Sequence, residues 1–265
     1  MRMMSIASGS SGNSIYAGSD HTHIIVDAGV SRKKIENGLK KAEVSPADLD
    51  AILITHEHRD HIGGLGVFLR KYPVPVYATP GTIEGIKNTR DLGEFDTGLL
   101  HPIKNDEHFL IGDMEIDTMS ISHDAADPVA YRFRSGNKKA AVITDLGEYN
   151  EQTIDFLREL NIVYIEANHD IRMLETGPYP YELKKRILGK RGHLSNEAGG
   201  RLLSSILCGK MEHVFLSHLS RENNMPELAL EAVRLEIEMS ANEFHGDDFP
   251  IDVSGRDEAG MITDI

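Results

Sequence analysis

The chain has 265 residues, 40% hydrophobic and 26% charged, enough to bury one large core or two fused half-domains. Its one cysteine, Cys208, excludes an intrachain disulfide framework and a thiolate-rich zinc site, and fits a reducing cytoplasm. A formal net charge of −14 argues against a general nucleic-acid-binding surface, although bound cations would add local positive charge that this count omits.

No signal peptide is expected at Met1–Ser8, and no apolar run approaches a membrane span. Residues 1–7, 14–18 and 22–26 read as three short strands. Between the first two lies Ser8-Gly9-Ser10-Ser11-Gly12-Asn13, a run of small residues. It reads as a plain turn, or as a site-lining loop offering Asn13 and backbone N–H groups to a phosphate. Asp27 closes the third strand and is a turn residue or a hydrogen-bond acceptor for a ligand histidine. A basic amphipathic helix follows over 31–41, then a cap at Ser45-Pro46.

The apolar run Ala51-Ile52-Leu53-Ile54 reads as a buried strand, and Thr55-His56-Glu57-His58-Arg59-Asp60-His61 follows it. Ile62-Gly63-Gly64 then opens a helix. His56, His58, Asp60 and His61 thus sit on a strand-to-helix turn, where open α/β sheets bind ligands. One helix would put His56 and Asp60 on a face and scatter the others, whereas a turn can converge all four. Imidazole and carboxylate suit zinc, manganese or iron.

Further strands are predicted at 75–78, 114–121, 129–133, 140–144, 162–167 and 214–218, with helices at 79–88, 150–160, 181–188, 195–207 and 226–239. A last strand is expected at 249–253. No repeat or linker interrupts the chain, so 1–265 reads as a single domain. His101 and His108 have no ligand-like neighbours. His123, Asp145 and His218 each end a strand. Basic residues gather in Lys184-Lys185-Arg186 and Lys190-Arg191, shortly before His193, as a solvated helix face or a contact for an acidic partner.

The strand-end candidates are His56, His58, Asp60, His61, His123, Asp145 and His218. Seven ligands are too many for one tetrahedral zinc with an open position, and fit two metals sharing a carboxylate. Here the chain resembles the metallo-β-lactamase superfamily, through His56-x-His58-x-Asp60-His61 and the later His123, Asp145 and His218. The resemblance implies an αββα four-layer sandwich. It implies two divalent ions, Zn2+ or Mn2+: one on His56, His58 and His123, the other on Asp60, His61 and His218, with Asp145 bridging. Thiolate-using lactam hydrolases place a cysteine where Asp145 lies, and Cys208 is expected inside a helix as a buried, inert thiol.

Glu166-Ala167-Asn168-His169-Asp170, Gly192-His193-Leu194-Ser195-Asn196-Glu197 and Leu216-Ser217-His218-Leu219-Ser220-Arg221-Glu222-Asn223-Asn224 resemble the bacterial YycJ/WalJ-type subfamily. So does Ala7-Ser8-Gly9-Ser10-Ser11-Gly12-Asn13. The subfamily is related to RNase Z and RNase J, and its members act on DNA from the 5′ end. The resemblance implies a cytoplasmic phosphodiesterase using a metal-bridging hydroxide, with DNA as substrate and no membrane or identifiable protein partner. Asp60 and His193 carry catalysis on this reading, and Asn13, His169 and Ser220 contact substrate. Tyr179 and Tyr181 stack on bases or pack on the sandwich. A glyoxalase II-like thioesterase uses the same ligand pattern, but its helical carboxyl-terminal region has no counterpart in the short acidic tail here.

Overall fold

The computed structural model describes residues 1–265. Two compact units emerge: residues 1–120, 125–137 and 255–265 form the first, and 121–124 with 138–254 the second.

In the first unit β1 (Arg2–Ala7), β2 (Ser14–Gly18) and β3 (His23–Val26) pair antiparallel. Ser31 caps α1 (Arg32–Lys41), its hydroxyl accepting from the Lys34 N–H, and Ile35 and Leu39 face the core one turn apart. β4 (Ala51–Leu53) lies parallel to β3 and is wholly buried, which is why its sequence is unbroken apolar. The turn Thr55–His58 follows and runs into α2 (Arg59–Ile62) and α3 (Leu65–Leu69). The helix expected from Ile62 onward is α3, starting at Leu65; the expected turn itself holds the extra short helix α2, which carries Asp60 and His61, and the two are separated at Gly63-Gly64. A Cβ on Gly64 would lie 1.8 Å from the Val30 carbonyl oxygen, so this backbone crosses the 28–30 loop at a distance no side chain permits.

β5 (Val76–Ala78), α4 (Pro80–Asn88) and β6 (Leu100–Pro102) continue the parallel part of the sheet, ordered β6-β5-β4-β3-β2-β1. Because β3, β4 and β5 run parallel, Asp27, Thr55 and Thr79 leave the sheet at the same edge. β7 (His108–Ile111), β8 (Met114–Ser120) and β9 (Val129–Ser135) form an antiparallel meander.

The second unit is built on β10 (Lys138–Ile143), β11 (Ile162–Glu166), β12 (His213–Ser217) and β13 (Ile251–Val253), all parallel and adjacent in that order. The crossovers carry α5 (Glu151–Phe156), then α6 (Ile171–Thr176), α7 (Tyr181–Ile187) and α8 (Asn196–Ile206), then α9 (Pro226–Met239). Helix α6 was not legible as a helix in the sequence. Short β14 (Thr263–Asp264) returns to the first unit beside β1. Cys208 corrects an expectation: α8 ends at Ile206, so the thiol lies beyond the helix and is only half-buried. Its weak contact is to the Leu160 carbonyl, at 3.9 Å.

Gly29 gives a stability test of the close approach beneath the turn. A Cβ there would fall 1.7 Å from the Asp60 carbonyl oxygen, a backbone atom that cannot swing aside. Gly29→Ala is expected to destabilise the protein by about 3 kcal/mol or more. Thermal unfolding measures this; a midpoint unchanged from wild type would refute the packing argument.

Candidate metal centre

In the first unit the ligand turn is organised by a buried carboxylate. Asp27, 3% exposed, accepts from the Thr55 N–H at 2.9 Å and from the Thr55 hydroxyl at 2.9 Å. Its Oδ2 also lies 2.7 Å from His61 Nδ1. An ionised carboxylate only accepts, so Nδ1 carries the His61 proton and Nε2 presents a lone pair. Thr55 has one hydroxyl proton, already donated to Asp27. Its oxygen, 3.0 Å from His56 Nδ1, therefore accepts, which frees His56 Nε2 as a donor atom for a cation. Burial pushes the Asp27 carboxyl up and the neighbouring His61 ring opposes that shift.

The His56 ring lies 4.1 Å from that of His61 and 4.6 Å from that of His58, centroid to centroid. Asp60 Oδ2 lies 3.4 Å from His61 Nε2. The turn thus gathers all four of its expected ligands. Glu57, between them, turns away: its Oε1 accepts from the Ala126 N–H at 2.8 Å. Asn13 is buried into the same turn, its Oδ1 accepting from the Gly9 N–H at 2.8 Å. Its Nδ2 sits 3.1 Å from His61 Nε2 and 3.3 Å from Asp60 Oδ2. Asn13 thus lies directly against two of the candidate ligands, Asp60 and His61.

The second unit holds a matching array. Asp145, Glu166, His193 and His218 each offer a ligand atom, and these lie within 4.8 Å of one another. Asp145 Oδ1 is 3.5 Å from His218 Nε2 and 3.7 Å from His123 Nε2. His123 Nδ1 lies 3.2 Å from the Gly192 carbonyl, an acceptor that assigns the ring proton to Nδ1 and directs Nε2 toward Asp145.

Glu166 is the residue that sequence reasoning missed as a participant. Fully buried at the end of β11, it places Oε1 at 2.9 Å from His193 Nδ1 and 3.1 Å from His218 Nδ1. Its Oε2 accepts from the Leu146 N–H at 2.8 Å and the Leu194 N–H at 3.1 Å. One carboxylate thus orients two imidazoles, as Asp27 orients His61. Burial alone would raise its pKa, but the charges of His193 and His218 and the hydrogen bonds from both rings hold it well below the ordinary range. Burial works to lower the His193 pKa, while the Glu166 charge, the Glu166 hydrogen bond and the Asp145 charge together outweigh it and raise that pKa. The available signal was a lone charge ending the apolar strand Ile162-Val163-Tyr164-Ile165.

Backbone strain marks the same positions. Asp27, Asp145 and His218 have φ of 63°, 60° and 58°, and each lies at or just beyond a strand end. Left-handed backbone costs a non-glycine residue on the order of 1–3 kcal/mol, so such residues persist where surrounding contacts enforce them. For His218 those contacts include the Asn168 Nδ2, which donates to its carbonyl at 2.8 Å. Asn224 in turn ties down the Ala167 and Asn168 carbonyls at 2.9 and 3.0 Å. Ser220 is buried and gives its N–H to Asn168 O at 2.7 Å.

His169, 1% exposed, has Nδ1 at 3.3 Å from Asn168 Oδ1, and its buried Nε2 has no hydrogen-bond partner. Burial lowers its pKa to about 4, against the opposing Glu166 charge, so the ring is neutral at pH 7. With the proton on Nδ1, Nε2 is a bare acceptor.

These donor sets fit divalent cations. They combine buried carboxylates with imidazoles whose Nδ1 protons are already assigned, and they contain no thiolate. No helix is long and apolar enough to cross a membrane.

A β-lactamase superfamily domain model matches residues 22–218. Exodeoxyribonuclease WalJ of Streptococcus pneumoniae serotype 2 (strain D39) is 39% identical over 98% of this chain and 96% of its own length. Exodeoxyribonuclease YycJ of Bacillus anthracis is 40% identical over 84% of each chain. The crystal structure of the metallo-β-lactamase fold protein YhfI from Bacillus subtilis covers 99% of this chain and 98% of its own, with TM-score 0.73 and 16% identity. The chain belongs to the β-lactamase superfamily of metal-dependent hydrolases, and within it to the WalJ/YycJ group. Its two mixed sheets flanked by helices are the αββα fold expected from the sequence.

Proposed function

We propose that the two ligand arrays work as one centre of a single domain spanning 1–265, and that the chain is a two-metal phosphodiesterase degrading DNA from the 5′ end. The observation that carries this reading is the pair of arrays, each built from imidazoles and carboxylates and each oriented by a buried carboxylate, in a chain 39% identical to a named exodeoxyribonuclease. His56, His58 and His123 would hold one cation, Asp60, His61 and His218 the other, with Asp145 shared. Zinc and manganese both suit these donors. When bound, such ions supply Lewis-acid polarisation of the phosphodiester and acidify a water molecule.

The chain's own residues do the rest. His193 has the one partly open side chain of its array, 18% exposed against 3% for Asp145 and 2% for His218. Glu166 holds its Nδ1, so Nε2 is the atom that meets substrate. The Glu166 carboxylate beside it raises the His193 pKa and so favours the protonated ring, the form that binds the phosphate and passes a proton to the departing oxygen. Asp60 anchors the turn through its carbonyl, which accepts from the Asn13 N–H at 2.7 Å, while its carboxylate, 3.4 Å from His61 Nε2, serves the reaction centre. Asn13 and Ser220 hold substrate-facing backbone in place. His169 offers its bare Nε2 to a nucleotide donor. His169→Leu is expected to keep the unfolding midpoint within about 4 °C, because it removes only the long 3.3 Å bond from Nδ1 to Asn168 Oδ1, Nε2 having no protein partner. The same variant is expected to raise KM for an oligonucleotide about fivefold; an unchanged KM would remove His169 from the substrate site. A single cysteine and ordinary composition support a cytoplasmic location.

The deciding experiment offers end-labelled single- and double-stranded DNA and RNA to the chelated protein, with zinc or manganese restored. Stepwise loss of nucleotides from the 5′ end of DNA is expected. Hydrolysis of a glutathione thioester without any phosphodiester cleavage would overturn the reading.

A further inference from the structure

We infer that residues 171–191 form the surface along which a single DNA strand approaches His193. The inference rests on the nuclease reading above and adds where the substrate backbone runs. The segment carries Arg172, Lys184, Lys185, Arg186, Lys190 and Arg191 against Glu175 and Glu182, a net charge of +4. The whole chain is −14, so everything outside this segment sums to −18. A polyanion meeting such a molecule is repelled by most of it and drawn to this stretch.

The other basic run, α1, carries the same net charge of +4, with Lys33 and Lys40 exposed, while Lys34 and Lys41 reach the 256–259 segment, Lys34 Nζ 3.1 Å from the Arg256 carbonyl and Lys41 Nζ 2.8 Å from that of Ala259; what sets 171–191 apart is its aromatic face and its link to His193. In 171–191 some cations hold the segment together. Lys184 Nζ donates to the Glu175 and Gly177 carbonyls at 2.8 and 2.7 Å, Arg186 pairs with Asp124, and Arg191 Nε donates to the His123 carbonyl at 2.9 Å. Lys190 pairs with Glu148 at 3.3 Å, a bond 83% exposed on the lysine side and open to exchange. Arg172 and Lys185 are exposed.

Two features point to a nucleic acid strand as occupant. Tyr181 opens α7 with 75% of its surface exposed, an aromatic face beside cations, which is how sequence-tolerant single-strand surfaces hold bases. The segment also ends on the reaction group: the His193 N–H donates to the carbonyl of Ile187, the last residue of α7, at 3.0 Å. A strand lying on Arg172, Lys185 and Tyr181 is thereby delivered to the histidine assigned to the scissile phosphate.

The test uses full-length, metal-loaded protein and the variants Arg172→Glu/Lys185→Glu and Tyr181→Ala. Affinity for a labelled single-stranded oligonucleotide is measured by anisotropy across a salt series, beside hydrolysis of bis(p-nitrophenyl) phosphate. The charge variant is expected to bind at least about tenfold more weakly, with a log K against log salt slope shallower by about 1.4, two phosphate contacts at about 0.7 each. Tyr181→Ala is expected to weaken binding about fivefold with the slope unchanged. Hydrolysis of the small ester is expected to stay at the wild-type rate in all three proteins. Wild-type affinity and slope in the charge variant, with small-ester hydrolysis intact, would overturn the surface and leave the nuclease reading standing. Absence of any phosphodiester hydrolysis in wild type would instead sink the nuclease reading, and the surface with it.

Discussion

His193→Ala is expected to lower turnover of a phosphodiester by about 10²–10⁴-fold while the protein keeps its full metal content. The size follows from the role: a positioned proton donor facing the leaving oxygen contributes in that range, and nothing nearby replaces it. The metal content is the discriminating readout. His193 Nδ1 lies 3.8 Å from Asp145 Oδ1 and 2.9 Å from Glu166 Oε1, near enough to the ligand set that coordination is the competing role. Loss of one bound ion in the variant, by elemental analysis, would make His193 a ligand and remove it as the acid. Replacing any of His56, His58, His123 or His218 should do the reverse, losing metal and activity together.

Glu166→Ala is expected to destabilise the protein by about 3–5 kcal/mol. It strands two buried imidazole N–H groups and the N–H groups of Leu146 and Leu194 with no acceptor. Glu166→Gln does not rescue it. Both histidines face Oε1 and both backbone donors face Oε2, so either amide orientation sets an NH2 group against two donors. In chelated protein the pair also gives stability a pH window. Glu166 is depressed from 4.5, so its contribution is whole above that value and lost as pH falls. His193 is raised from 6.5, so its contribution is whole below that value and lost as pH rises through the folded-state pKa. The difference in unfolding free energy between wild type and Glu166→Gln is therefore expected to peak between about pH 4.5 and 6.5. A difference that is flat from pH 4 to 8 would refute the ion pair.

The turn Thr55–His61 was legible because polar residues packed this densely after a buried apolar strand have no reason to be there except chemistry. Asp27 was legible as an acceptor for the same reason, and the structure sets it on His61 Nδ1. Glu166 was harder. It stands one residue beyond an unbroken apolar run and resembles any polar strand terminus; its importance lies in four donors brought by residues 146, 193, 194 and 218. The asparagines show the same limit. Asn168 and Asn224 fasten the backbone around His218, yet each contact joins positions some fifty residues apart. The two-helix break at Gly63-Gly64 depends on the 28–30 loop passing beneath it, which local propensity does not encode.

The buried acceptors Asp27 and Glu166 fix the ring protons of His61, His193 and His218 through bonds between protein groups alone. Ring orientation at the cradle therefore does not depend on its cargo. Stripping the ions should leave a folded shell that recharges quickly and releases few protons as it does so, unlike small zinc modules whose chain collapses without the metal.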